Sequence, residues 1–334
     1  MNADEQSIAN VPSVIITGFL GVGKTSAILN LLKQKPENER WAVLVNEFGE
    51  IGVDGSLFEG QSNSAQEVFI REVPGGCMCC SAGLPMQVAL NQLLSKARPD
   101  RLLIEPTGLG HPMEVLEVLS GDQFRDALNL QKVLTLVDAR KLSDKRYTEH
   151  ETFNQQIAIA DVVVGNKLDL YNPDDKDTLE AYIKDHGKAD AEVIFTENGE
   201  LPLDALQGHT TATSHHQHHH HHHSAEPKPL VSELPIPECG YIMANNQGEG
   251  FYSVGWRLAA TKIFDYDSLT QLLKTIHAER MKAVFITNKG KFGYNLTTDA
   301  LTEEPLQECK ESRIEVISRQ PGEVLEAQLL SCLA

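Results

Sequence analysis

Long apolar runs are absent from this 334-residue chain: none approaches 18 residues, so nothing in the sequence reads as a membrane span. Basic residues are scarce, with 29 Lys and Arg against 47 Asp and Glu and a formal net charge of −18. Nucleic acid and anionic membranes both require clustered Lys and Arg, so neither is expected as a partner, whereas an acidic surface favours cations. Residues 1–10 are polar and mildly acidic and carry no apolar signal-peptide core. Cysteine is also sparse. Only six occur, and three of them crowd into Cys77, Cys79 and Cys80, which excludes a disulfide framework and points to metal or redox chemistry in a reducing cytoplasm.

Against these absences, one stretch is dense with signal. Val14–Thr17 is an apolar run. Gly18, Gly21, Val22, Gly23, Lys24 and Thr25 then fall in the spacing G-x-x-x-x-G-K-[ST], and Ser26–Leu32 continues as a helical pattern. In such a loop the backbone N–H groups converge on phosphates, and small residues let the chain come close. The following helix turns its N-terminus to the same anions. Lys24, on an exposed loop, is expected to reach the β- and γ-phosphates, and the Thr25 hydroxyl to bind Mg²⁺. The alternative is a Gly-rich strand-to-helix turn.

From residue 13 to about 207, strand-like runs alternate with helical patterns. The runs are Val14–Thr17, Trp41–Asn46, Val68–Val73, Leu102–Glu105, Val133–Val137, Val162–Asn166 and Val193–Thr196. The alternation predicts an α/β domain, a mostly parallel sheet flanked by helices in the manner of P-loop NTPases, with ligands at the carboxyl ends of the strands. Residues 208–237 hold His215, His216 and His218, His219, His220, His221, His222 and His223, followed by a Pro-rich run, and read as a linker that cannot build a core. Six consecutive histidines are also the mark of a purification tag. An internal position behind His215, His216 and Gln217 favours a metal-gathering segment, and imidazole does not choose among zinc, nickel, copper and cobalt. Residues 238–334 read as a smaller α+β domain, with strands at Phe251–Leu258, Lys282–Thr287, Lys291–Leu296 and Arg313–Ser318 and helices at Tyr266–His277 and Pro321–Cys332.

Two further motifs fall at strand ends. Asn166-Lys167-Leu168-Asp169 is the N-K-x-D pattern whose carboxylate pairs with guanine and not adenine, so GTP is expected over ATP; the alternative is a loop with a helix cap. Glu105, at the tip of a buried strand with Gly108 three residues on, is placed to hold Mg²⁺ or the attacking water, and the Gly108 N–H to meet the γ-phosphate; the alternative is a plain strand end. No Gln or arginine finger stands out to position water. Slow intrinsic hydrolysis is therefore expected, dependent on a partner or on a nucleotide-dependent homodimer. Gly75 and Gly76 let the backbone curl so that Cys77 and Cys79 face one ion, with zinc the expected metal; adjacent Cys79 and Cys80 chelate one ion less easily, which leaves one of the three as a spare or exchange ligand, and a redox pair and buried apolar thiols are the alternatives.

The P-loop, Val45–Asp54, Gly76–Cys80, Glu105–Gly108 and Asn166–Asp169 occur together and in order. In this the chain resembles the CobW-type P-loop GTPases, relatives of the nickel chaperones UreG and HypB. The resemblance implies a GTP-dependent metallochaperone that delivers zinc, or in some branches Co²⁺ or Ni²⁺, to a client metalloprotein. It also makes Glu47–Asp54 the first switch, with Glu47 and Glu50 completing the metal shell or orienting water, the alternative being plain surface charge. Pro106-Thr107 departs from the expected Thr or Ser pair, and Thr196–Gly199 is a loose match to a further guanine-site element.

Overall fold

The structure, a computed structural model, describes residues 8–46, 51, 53, 68–73, 83–212, 231, 234–320 and 325–334. The chain divides into two compact units. The first is drawn from Met1–Val45, Gln66–Arg71 and Ala82–Ser224, and the second from Asn46–Ala65, Glu72–Ser81 and Ala225–Ala334.

In the first unit the chain runs β1 (Val11–Gly18), α1 (Lys24–Lys33), β2 (Trp41–Asn46), β3 (Val68–Val73), α2 (Leu84–Ala97), β4 (Arg101–Glu105), α3 (Pro112–Ser120) and β5 (Leu128–Val137). It continues with α4 (Lys145–Thr148), α5 (Glu151–Ala158), β6 (Val162–Gly165), α6 (Asp175–His186) and β7 (Glu192–Phe195). The seven strands form one sheet in the order β3-β2-β4-β1-β5-β6-β7. The ladders β2–β4, β4–β1, β1–β5, β5–β6 and β6–β7 are all parallel. Inner strands covered on both faces must be apolar throughout. Accordingly Val14, Ile15, Ile16, Leu102, Leu103, Val162, Val163 and Val164 are all buried. Helix α1 packs on β1 and β4, α5 on β1 and α6 on β6. Strand β1 is flanked by strands that come later in the chain on both sides, so the crevice at its carboxyl end is where such a sheet receives a ligand.

At the opposite end of the sheet a buried carboxylate fixes the chain. Asp161 accepts hydrogen bonds from the Val133 N–H at 2.8 Å, Lys188 Nζ at 2.6 Å, Thr210 Oγ1 at 2.6 Å, and the Thr211 N–H and Oγ1 at 3.0 and 2.8 Å. Burial alone pushes this carboxyl up, but the bonds from Lys188, Thr210, Val133 and Thr211 outweigh it and hold Asp161 below its ordinary value. A lowered native pKa contributes stability that is present above the unfolded pKa of about 3.9 and is lost as pH falls through the native value. We expect Asp161→Asn to cost on the order of 2–3 kcal/mol at neutral pH, and the gap from the parent to narrow as pH falls below about 4. The chain has two tryptophans, Trp41 and Trp256. Urea unfolding read from Trp41 in a Trp256→Phe background isolates this unit. A gap of the same size at both pH values would show that ionised Asp161 is not what holds the segment.

The second unit is an antiparallel sheet of six strands in the order β12-β11-β10-β13-β9-β8. These are β8 (Tyr241–Gly248), β9 (Phe251–Leu258), β10 (Arg280–Thr287), β11 (Gly290–Leu296), β12 (Leu301–Pro305) and β13 (Ser312–Ser318), with α7 (Tyr266–Thr275) and α8 (Leu325–Ser331). One face holds Trp256, Leu258, Phe264, Leu269, Leu273, Phe285 and Leu329. Another cluster of this unit joins Ile51 and Val53 to Ala244, Val284 and Leu306. Strands β8 and β12 are additional to the strands expected from the sequence. Both lie at sheet edges, where a polar run such as Asn245-Asn246-Gln247 or Glu303-Glu304-Pro305 is tolerated and no apolar alternation is required. Helix α7 ends two residues before the expected His277. Of the expected helix Pro321–Cys332, residues 325–331 are helical, and residues 321–324 lie outside the described residues.

Candidate nucleotide site

Strand β1 ends at Gly18 and α1 begins at Lys24, so the first free N–H groups of the helix open at the carboxyl end of the central strand. Gly23 caps that helix at φ +99°, a conformation side chains resist, and a Cβ there would lie 2.5 Å from Asn166 Nδ2. Gly21 is likewise at positive φ, while Ser26 is exposed on the first turn. Lys24 is only 4% exposed, unlike the exposed loop side chain expected from the sequence; its ammonium donates to the Gly18 carbonyl at 2.9 Å and the Phe19 carbonyl at 3.3 Å. The Phe19 ring is held edge-on by Tyr147, His150 and Phe153 at centroid distances of 5.2, 4.9 and 6.1 Å.

Thr25 Oγ1 donates to both oxygens of Glu105, at 3.2 and 3.4 Å, and Glu105 is 2% exposed. The hydroxyl of the loop and the carboxylate at the tip of β4 thus lie together, 80 residues apart in sequence. Gly108 also lies against the loop: a Cβ on it would lie 3.0 Å from Lys24 Nζ and 3.1 Å from the Leu20 nitrogen.

Buried Asn166 donates from Nδ2 to the Val22 carbonyl at 2.8 Å and accepts the Gly199 N–H on Oδ1 at 2.9 Å. It therefore joins the phosphate loop to the Thr196–Gly199 turn, whose fit to a guanine-site element was loose in sequence. Lys167 adopts φ +63°, and its ammonium lies 3.8 Å from Asp138 Oδ2. Asp138 also takes a two-point contact from Arg140, at 2.9 and 2.6 Å. Tyr171 accepts the Ala139 N–H at 3.0 Å, and burial raises its phenol, so it remains a neutral brace beside this group. Asp169 stands exposed on the short turn Leu168–Leu170.

Asp138 was not singled out in sequence: like Glu105 it is an acidic residue at the carboxyl end of an inner strand, but Lys141 and not glycine stands three residues on. Glu47, Cys77, Cys79, Cys80 and the histidines 215, 216 and 218–223 lie outside the described residues. Among the described residues, no helix is long and apolar enough to cross a membrane.

A Gly-rich loop between β1 and α1 of a largely parallel sheet, with Thr25 against Glu105 and Asn166 against Val22, defines a nucleotide-binding domain of the P-loop NTPase class. Residues 12–195 match the CobW/HypB/UreG nucleotide-binding domain, and the chain belongs to that family. It is 38% identical over 327 residues to the zinc chaperone YeiR of Escherichia coli, covering 95% of this chain and 96% of that protein. With the zinc chaperone CobW of Pseudomonas aeruginosa it shares 30% identity over 229 residues, 61% of each chain. Among solved structures, Zn(II)-bound YjiA GTPase from E. coli aligns at 18% identity over 97% of this chain and 99% of its own, with a TM-score of 0.42.

Proposed function

We propose that this chain is a GTP-hydrolysing metallochaperone that carries zinc on Cys77, Cys79 and Cys80 and passes it to a client metalloprotein as its nucleotide state changes. The observation that carries the reading is the meeting of Thr25 and Glu105 at 3.2 Å beside Lys24 and Gly108, the set a nucleoside triphosphate requires. Near full-length similarity to a zinc chaperone supports the cargo.

In this reading the Thr25 hydroxyl and the Glu105 carboxylate, hard oxygen donors already side by side, hold Mg²⁺, which when bound neutralises charge on the β- and γ-phosphate oxygens. Lys24 brings a fixed positive charge to the same oxygens, and Gly108 brings its N–H to the γ-phosphate. Asp169 accepts from the guanine ring, and Asn166 keeps the base-side loops in register with the phosphate loop. Glu47 completes the zinc shell, and the histidine-rich segment collects metal for it. Zinc is cargo, with Co²⁺ or Ni²⁺ as substitutes of similar ligand preference.

Two other readings are a metal store with a vestigial nucleotide site and a P-loop kinase acting on a small molecule. Phosphate release from GTP and ATP, each with and without zinc, separates the three. Expected is slow release from GTP, none from ATP, and a zinc affinity that differs between a non-hydrolysable GTP analogue and GDP by roughly 5- to 150-fold, with the reciprocal effect of zinc on the nucleotide. Cys77→Ser, Cys79→Ser and Cys80→Ser should weaken that zinc. Equal zinc affinity in every nucleotide state would leave a store, not a chaperone driven by hydrolysis.

A further inference from the structure

The reaction requires Gly108 to present its N–H to the γ-phosphate, and a glycine flanked by soft dihedrals does not do so unaided. That N–H lies in the Thr107–Gly108 peptide plane, and the Gly108–Leu109 plane anchors the residue on its other side. The Thr107–Gly108 plane is fixed through its carbonyl, which accepts from the Gly110 N–H at 3.0 Å; in a trans peptide the Gly108 N–H then points the opposite way. The Gly108–Leu109 plane is fixed on both edges. Its N–H donates to Thr107 Oγ1 at 3.3 Å, and its carbonyl accepts from Gln156 Nε2 at 3.1 Å.

Gln156 comes from a different element, α5, and is 1% exposed. Its own carbonyl accepts from Thr135 Oγ1 at 2.7 Å, which locks the helix to β5. One turn earlier on the same buried face, Phe153 packs against Phe19 of the phosphate loop at 6.1 Å. Gln155, the residue just before Gln156, meets His111 Nδ1 at 2.9 Å, at the far end of the Glu105–His111 loop. Helix α5 therefore touches both loops that surround Lys24, and Gln156 is its contact with the peptide that follows Gly108 and anchors it on the side away from the N–H. Gln156 Oε1 has no hydrogen-bond partner among the described residues, so the Nε2 donor carries the polar contacts this side chain makes there.

We infer that Gln156 is a positioning residue for GTP hydrolysis: through the Gly108 carbonyl it anchors the Gly108–Leu109 peptide, and with the Gly110 bond to the Thr107 carbonyl this fixes Gly108 from both sides, so that its N–H, in the Thr107–Gly108 plane, is set before the γ-phosphate arrives. This rests on the reading of the site as a GTPase centre. It assigns the ability to tell GTP from GDP in part to a residue that touches neither nucleotide.

The test uses the full chain with Gln156→Met, which keeps the length and apolar stem of the side chain and removes the donor. GTP turnover is expected to fall roughly ten- to a hundredfold, as a misplaced contact costs. The preference for a non-hydrolysable GTP analogue over GDP should fall by roughly tenfold, while GDP affinity stays unchanged, because GDP has no γ-phosphate to meet Gly108. Equal weakening of both nucleotides would make Gln156 merely structural and overturn the inference, as would an unchanged preference. A measurement on the parent stands even if the variant does not fold: the Leu109 and Gly110 amides should already be protected from hydrogen exchange with GDP bound. Free exchange with GDP, and protection only with the analogue, would show that nothing is held in advance. A parent protein that neither hydrolyses GTP nor prefers the analogue removes the GTPase reading itself, and the inference with it.

Discussion

Lys24→Ala is expected to lower GTP turnover by on the order of 10²–10³-fold, the loss that follows removal of one preorganised charge or donor from developing transition-state charge. The side chain is buried and fixed by the Gly18 and Phe19 carbonyls, so its charge already sits within the loop and need not be recruited from solvent. That same geometry means the substitution is not silent in the folded state. Two loop carbonyls lose a charged donor, and we expect about 1–3 kcal/mol of destabilisation in the first unit. The two effects separate by measurement. Turnover per molecule of folded protein reads the catalytic loss, and the Trp41 unfolding transition in the Trp256→Phe background reads the structural one. Turnover that falls only in proportion to the unfolded fraction would assign Lys24 to the loop and not to the phosphates.

Why some of this was legible in the sequence and some not has a physical pattern. The inner strands of the first unit are covered on both faces, so Val162-Val163-Val164 and Leu102-Leu103-Ile104 carry an uninterrupted apolar signal that composition alone reveals. Edge strands β8 and β12 are under no such demand, and their polar runs read as loop. Residues 18–25 and 166–169 were legible because their chemistry demands a fixed local spacing. Gln156 has no such spacing. It is one of a Gln155-Gln156 pair on a helix, and which of the two turns inward depends on how α5 packs, a tertiary fact with no local signature. Asn166 is an intermediate case. The sequence marks it as part of a guanine motif, but its bonds to Val22 and Gly199 tie protein loops together. What Asn166 takes from the Thr196–Gly199 turn is a backbone N–H, which carries no side-chain signature, and glycine is required at 199 because it sits at φ +72° where a Cβ would lie 2.8 Å from the Ala27 backbone.

The largest stability effect is expected in the second unit, at Arg257. Its guanidinium is 7% exposed and pairs in two-point fashion with Glu311, at 2.6 and 2.9 Å. The remaining nitrogen donates to the carbonyls of Val231 and of Leu234, the latter at 2.8 Å. Glu311 also accepts from Arg313 Nε at 2.8 Å, and Arg313 in turn donates to the Ile51 carbonyl at 3.1 Å. Removing Arg257 leaves a half-buried carboxylate with Arg313 as its remaining ion-pair partner and strands two chain carbonyls, so Arg257→Met is expected to cost about 3–5 kcal/mol, with Arg313 keeping the value toward the lower end. Burial pushes the Glu311 carboxyl up, but the Arg257 bonds and the Arg313 and Arg257 charges prevail and hold it below its ordinary value. Its contribution is therefore present above the unfolded pKa of about 4.3 and fades as pH falls, so the cost of Arg257→Met should shrink below about pH 4. Adding Glu311→Gln to Arg257→Met removes the carboxylate charge, and the double variant should recover roughly 0.5–3 kcal/mol relative to Arg257→Met alone. Urea unfolding followed by Trp256 in a Trp41→Phe background reports on this unit. A double variant no more stable than the single one would place the cost in the lost Val231 and Leu234 contacts and not in the ion pair. That would make Arg257 chiefly an anchor for the chain that follows residues 215–223, the counterpart of what Asp161 does for Thr210 and Thr211 ahead of them.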